Sequence, residues 1–177
     1  MLKKGGNAVD AAIATQLALT VVFPGAGNLG GGGFMVIRLN NKNICIDFRE
    51  KAPGGASRNM YLDDRGNPVP GKSLNGHLAC GVPGSVAGIF EALKYAKLPV
   101  RKLIQPAIDL AEQGFAISAT EAANLNEARE AFKKYNTVMP VFVKPSGWKA
   151  GDTLIQKDLA GTLRLIRDQG ARGFYEG

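Results

Sequence analysis

The apolar positions change rhythm three times along the chain. Residues 7–22, Asn7-Ala-Val-Asp-Ala-Ala-Ile-Ala-Thr-Gln-Leu-Ala-Leu-Thr-Val-Val22, follow Gly5-Gly6 and open on an asparagine suited to cap a helix. The run is apolar on nearly every side and rich in alanine, so it is expected to be a helix buried all round, with neighbouring elements packed close. The period then falls to two. Phe34, Val36 and Ile37, then Arg38-Leu39, lead into Asn40-Asn41-Lys42-Asn43, after which Ile44, Ile46 and Phe48 alternate with Cys45, Asp47 and Arg49. Two strand-forming runs around an asparagine-rich turn that tolerates positive φ predict a β-hairpin.

Helical spacing returns after a connecting region, residues 54–82, whose turns are marked by Asp63-Asp-Arg-Gly-Asn-Pro68 and Pro70-Gly71. Val86, Ile89, Phe90 and Leu93 predict a helix from Gly84 to Ala96, with Pro83 near its start and Leu98-Pro99 closing it. A second is expected to begin near Pro106 and to end at Gly114. Ser118-Ala-Thr-Glu121 is a capping box that opens a third, polar helix reaching about Lys133. Residues 136–155 read as loop or short extended chain. A last helix, Lys157 to Gln169, presents Leu159, Leu163 and Ile166 to a core and stops at Gly170. The 177 residues have the length of one domain, and 45% apolar content is enough to build a core.

Charge adds little. The net charge of +7 is spread over both halves as pairs such as Lys3-Lys4, Arg101-Lys102 and Lys133-Lys134, without the basic patch and aromatic neighbours of a nucleic-acid binder. No apolar run is long enough to span a bilayer. Met1-Leu-Lys-Lys4 leads to glycines instead of an apolar core with a cleavage site, so no export signal is expected in these residues. A core helix that opens beside the first residue predicts that the chain is the middle of something longer. Cys45 and Cys80 are expected to be buried free thiols. With His77, the one histidine, they cannot supply a structural metal set, and neither a metal nor another cofactor is expected.

Two motifs are decoys. Gly25-Ala-Gly-Asn-Leu-Gly30 matches a dinucleotide fingerprint by letter, but here a helix precedes the glycines and a strand follows, the reverse of the order that sets a pyrophosphate on a helix N-terminus. No Gly-x-Ser-x-Gly elbow exists, since Pro83 precedes Gly84-Ser85. The remaining candidate is Arg49. Four residues before Pro53, it stands where the second strand should end, with a backbone fixed enough to offer a fork to a carboxylate. A surface pairing of Arg49 with Asp47 or Glu50 fits the same spacing.

Asn28-Leu-Gly-Gly-Gly-Gly-Phe-Met35 followed by Asp47-Phe-Arg-Glu-Lys-Ala-Pro53 resembles the large subunit of the bacterial γ-glutamyltranspeptidases. So do Gly5-Gly-Asn-Ala-Val-Asp-Ala-Ala12, Gly81-Val-Pro-Gly-Ser-Val-Ala-Gly88 and Gln105-Pro-Ala-Ile-Asp-Leu-Ala111, in the same order from Lys4 to about Tyr175. The resemblance implies an α/β fold, an incomplete piece of the four-layer αββα sandwich of N-terminal nucleophile hydrolases. It implies that Arg49 binds the α-carboxylate of a γ-glutamyl group, in glutathione or a related compound, and that the full-length protein is periplasmic or secreted. The nucleophile of that family is the N-terminal threonine of a small subunit released by self-cleavage of the precursor. No Thr-Thr pair or comparable junction occurs here, so the chain alone is expected to carry no catalytic residue and to be inactive. A sister acylase of the cephalosporin acylase or capsule transpeptidase type, or a non-catalytic truncated product, fits the same scaffold. Isolated, the piece is expected to leave sheet edges and helix faces bare and so to aggregate or depend on a partner.

Overall fold

The computed structural model describes residues 1–176, a mixed α/β arrangement built on one long helix. That helix, α1 (Ala8–Val22), starts as its sequence dictates. Asn7 Oδ1 accepts from the N–H groups of Val9 and Asp10, and Asp10 Oδ2 accepts from the Asn7 N–H at 2.7 Å, a reciprocal capping box. Asp10 is fully buried and does more than cap. It also accepts from the N–H groups of Lys97 (3.0 Å) and Leu98 (2.8 Å), tying the helix start to a loop almost ninety residues away. Burial pushes its carboxyl up, but the N–H groups of Asn7, Leu98 and Lys97 outweigh that and hold it below the usual range.

Val9, Ile13, Leu17 and Val21 of α1 are buried against α3 (Val100–Gln113), which in turn packs on α6 (Lys157–Gln169) through Leu103, Ile104, Ala107, Leu163 and Ile166. Gln156, just before α6, joins the two ends of this layer. Its backbone N–H donates to the Ala111 carbonyl and its buried Nε2 to the Val21 carbonyl, an unpaired group of the last turn of α1. A short helix, α7 (Arg172–Tyr175), folds back on α6.

The hairpin comprises β1 (Phe34–Leu39) and β2 (Lys42–Asp47), antiparallel in the register Phe34↔Asp47, Val36↔Cys45, Leu39↔Lys42. Its turn is shorter than expected. Only Asn40 (φ 50°) and Asn41 (φ 60°) leave the ladder, the two left-handed residues of a tight primed turn, and Lys42 and Asn43 belong to the second strand. The alternation is as the pattern required. Ile37 and Ile46 are buried on the inner face beside Met35, Ile44 and Phe48, and the outer face carries Phe34, Val36, Cys45 and Asp47.

Several expectations need correction. α1 is covered on one side only, with Ala8, Ala12, Thr15 and Leu19 exposed. The predicted Gly84–Ala96 helix is α2 (Ser85–Ala92) followed by a 3₁₀ turn, Leu93–Tyr95. α3 begins at Val100, not near Pro106. Pro106 sits inside it at the cost of one hydrogen bond to the Lys102 carbonyl, on the helix side that faces solvent, while buried Leu103 and Ile104 hold the first turns in place. The polar helix is two, α4 (Ala119–Glu127) and α5 (Arg129–Tyr135), broken at Ala128. Near that break, Asn126 spends its side-chain amide on the Trp148 backbone, donating to the carbonyl and accepting from the N–H. Phe115–Ala116 (β3) and Thr153–Leu154 (β4) form a second small antiparallel pair. Both cysteines are free but exposed, Cys45 because it lies on the outer hairpin face. A four-layer sandwich is not formed within residues 1–176.

Candidate functional site

Pairing of β2 with its neighbour runs one residue past the strand, through reciprocal hydrogen bonds between Phe48 and Gly33. Three residues further on, Lys51 exchanges hydrogen bonds with Val82, donating at 3.1 Å and accepting at 2.8 Å. Arg49 and Glu50 lie between, where the chain leaves one partner strand for another. The Arg49 N–H donates to Asp47 Oδ1 at 3.0 Å, which fixes the bend.

The segment after Val82 presses on this bend. The Gly84 and Ser85 N–H groups both donate to the Gly31 carbonyl, at 2.8 and 3.0 Å, and draw the start of α2 against Phe48. Neither Gly84 nor Gly88 tolerates a side chain. A Cβ at Gly84 would overlap the Phe48 carbonyl oxygen, and one at Gly88 would enter the Phe48 ring. Gly81-Val-Pro-Gly-Ser-Val-Ala-Gly88 is therefore more than a helix start, since its last two glycines make the seat of Phe48 and so fix the backbone that carries Arg49. The spacing of those glycines was the available signal.

The Arg49 side chain is 59% exposed and borders a cleft of about 510 Å³, lined also by Asp47, Lys51, Gly84, Glu91 and Tyr175. Its Nε lies 3.3 Å from Glu50 Oε2, and its guanidinium carbon is 6.0 Å from the centre of the Phe34 ring. The Glu50 contact is an ion pair without hydrogen-bond alignment, for Oε2 is shut off from solvent with no hydrogen-bond partner. Arg49 thus pairs with its neighbour Glu50 and also lines a cavity. Among the described residues no hydrogen bond engages its terminal Nη1 and Nη2. With Nε beside Glu50 and the guanidinium carbon near the Phe34 ring, the two terminal nitrogens remain, the fork by which an arginine meets a carboxylate bidentately.

Elsewhere the chemistry is thin. His77 lies exposed in the 3₁₀ turn His77–Ala79, and among the described residues no cluster of three or more His, Cys, Asp or Glu side chains is placed to hold a metal. No helix among them is long and apolar enough to cross a membrane. The glycine-rich stretch before β1 follows a helix and precedes a strand, as its sequence required. It borders a second cavity of about 500 Å³ with Ala12, Thr15, Gln16, Asn28 and Ser85.

This scaffold is shared with solved structures of a transpeptidase and an acylase. A crystal structure of Helicobacter pylori γ-glutamyltranspeptidase matches with a TM-score of 0.95 at 53% identity, over 99% of this chain and 52% of that one. The cephalosporin acylase from Bacillus halodurans matches with a TM-score of 0.81 at 27% identity, over 99% and 34%. The γ-glutamyltranspeptidase family model matches residues 1–177, and the chain belongs to that family. The glutathione hydrolase proenzyme of Escherichia coli is 49% identical over 181 residues, all of this chain but 31% of the proenzyme. The chain thus spans about a third of the length of the curated relatives it matches.

Proposed function

We propose that this chain supplies the glutamyl-recognition wall of a γ-glutamyltransferase or glutathione hydrolase, with Arg49 as the ligand of the substrate's α-carboxylate. The observation that carries it is an arginine at a strand end that lines a cleft, with no hydrogen bond to its terminal nitrogens among the described residues, at the position the family resemblance marks. The substrate is glutathione or another γ-glutamyl compound. Its γ-carbonyl is attacked by a threonine of a small subunit cut from the same precursor, and water or an amino acid then takes the acyl group. The chain alone, without that threonine, is inactive. The whole protein works in the periplasm or outside the cell.

The same reading completes the fold. The bare face of the hairpin, with Phe34 68% and Val36 78% exposed, is what an αββα sandwich covers with its second sheet. The length of the relatives leaves ample chain to build that sheet.

Arg49→Lys in the full-length polypeptide tests the assignment, because a point charge cannot reproduce a bidentate fork. A charge-assisted pair contributes ~1.5–3 kcal/mol, so KM for a γ-glutamyl donor should rise about tenfold to a hundredfold. An unchanged KM overturns the reading. The match to a cephalosporin acylase favours a second reading, in which the same wall serves another acyl group. Assaying the parent protein on γ-glutamyl and cephalosporin amides side by side separates the two.

A further inference from the structure

Tyr175 is the last residue of α7, more than a hundred residues along the chain from Arg49, yet it lines the same cleft. Its hydroxyl donates to the Pro83 carbonyl at 2.8 Å and accepts from the Ala87 N–H at 3.2 Å. Ala87 is the third residue of α2, so its N–H is among those a helix start leaves without an internal partner, and Gly84 at the cap position has no side chain to serve it. One phenol oxygen therefore fastens both ends of the Pro83–Ala87 segment. That segment contains Gly84, which lies against the Phe48 carbonyl and the Arg49 backbone.

The anchor is rigid at its other end too. The Phe174 and Tyr175 rings meet edge to face at 5.0 Å, and Gly173 packs on the Leu165 carbonyl so closely that a Cβ there would overlap it. Tyr175 is thus tied to α6, and through α6 to the most deeply buried layer of the protein.

We infer that Tyr175 is a positioning residue for Arg49: its hydroxyl clamps the start of α2 onto the Phe48–Arg49 bend and so sets the angle at which the guanidinium meets a carboxylate. This rests on Arg49 being the carboxylate ligand. It adds that the angle is set from the far end of the chain, through two hydrogen bonds that no local sequence signal announces.

Tyr175→Phe in the full-length polypeptide removes the clamp and keeps the ring and its packing. Loss of neutral hydrogen bonds of this kind should raise KM for a γ-glutamyl donor about threefold to tenfold, with kcat changed less than about twofold. Placed on an Arg49→Lys background, where the fork is already gone, the same change should add less than about twofold. Additive effects, or a loss of activity that follows a lowered Tm, mark a merely structural tyrosine and overturn the inference. An unchanged KM in Tyr175→Phe beside a raised KM in Arg49→Lys overturns it while leaving the Arg49 assignment standing. If Arg49→Lys itself leaves KM unchanged, the assignment fails and this inference falls with it.

Discussion

The helical layer and the hairpin bury apolar surface to different ends. In the layer, α1, α3 and α6 meet through side chains with essentially no exposure, among them Leu17, Leu103, Ile104 and Leu163, and the contact is complete within this chain. In the hairpin only the inner face is closed, with Ile37 and Ile46 buried, and the outer face is left open. The candidate recognition residue belongs to the second kind of region, but its backbone is braced by the first. A closely packed layer lets a half-covered strand end hold one backbone bend in place.

The sharpest way to break this contrast is to damage the closed side. Leu163 is fully buried between α6 and α3, so Leu163→Ala removes apolar contact and leaves a cavity where the helices cannot collapse. The expected loss is about 3–5 kcal/mol, read as a lowered midpoint in denaturant unfolding. If the variant unfolds within about 1 kcal/mol of the parent, the layer is not the rigid support described.

A smaller effect is expected at the joint between layer and loop, where Asp10 takes three backbone N–H groups. Its folded pKa is depressed, so its contribution is fully present above the unfolded carboxylate value near ~4 and is lost as pH falls through the folded value. Asp10→Asn keeps the shape but replaces a charged acceptor, and should cost about 1.5–3 kcal/mol at pH 7. Melting temperatures of parent and variant, compared at pH 7 and again below pH 4, check the sign. The gap between them should narrow on acidification, and a gap that widens would contradict the assignment.

Sequence pattern reached unequal depths in these regions. α1, α6 and the hairpin's alternation were legible from separate signals, the Asn7 cap for the first, apolar spacing and the stop at Gly170 for the second, and the period of two for the third, although burial of α1 on one side only was not. α3 was misplaced because Pro106 is a strong local stop signal, while the burial of Leu103 and Ile104 that overrides it is a tertiary effect. The break at Ala128 depends on a contact between Asn126 and Trp148 that no period encodes. At the candidate site, the end of β2 near Arg49 was legible from Pro53, but spacing alone fitted a surface pairing equally, and the carboxylate role proposed for Arg49 rests on the family resemblance. The seat built by Gly84 and Gly88 was visible only as glycines of no assigned purpose, and Tyr175 carried no signal, since the partners of its hydroxyl lie about ninety residues away.

The open side gives the smallest effect and the finest distinction. Val36 projects from the outer hairpin face opposite Cys45 and is 78% exposed within these residues. Left bare, it should accept Val36→Ala with a change of no more than about 0.5 kcal/mol. Covered by a second sheet in the full-length polypeptide, the same change removes two buried methyl groups and should cost about 1.5 kcal/mol, at ~0.8 kcal/mol for each. Denaturant unfolding of the full-length pair decides between them. A cost near zero there means that the hairpin's outer face stays in water, so that no second sheet stacks on it and the sandwich is built some other way.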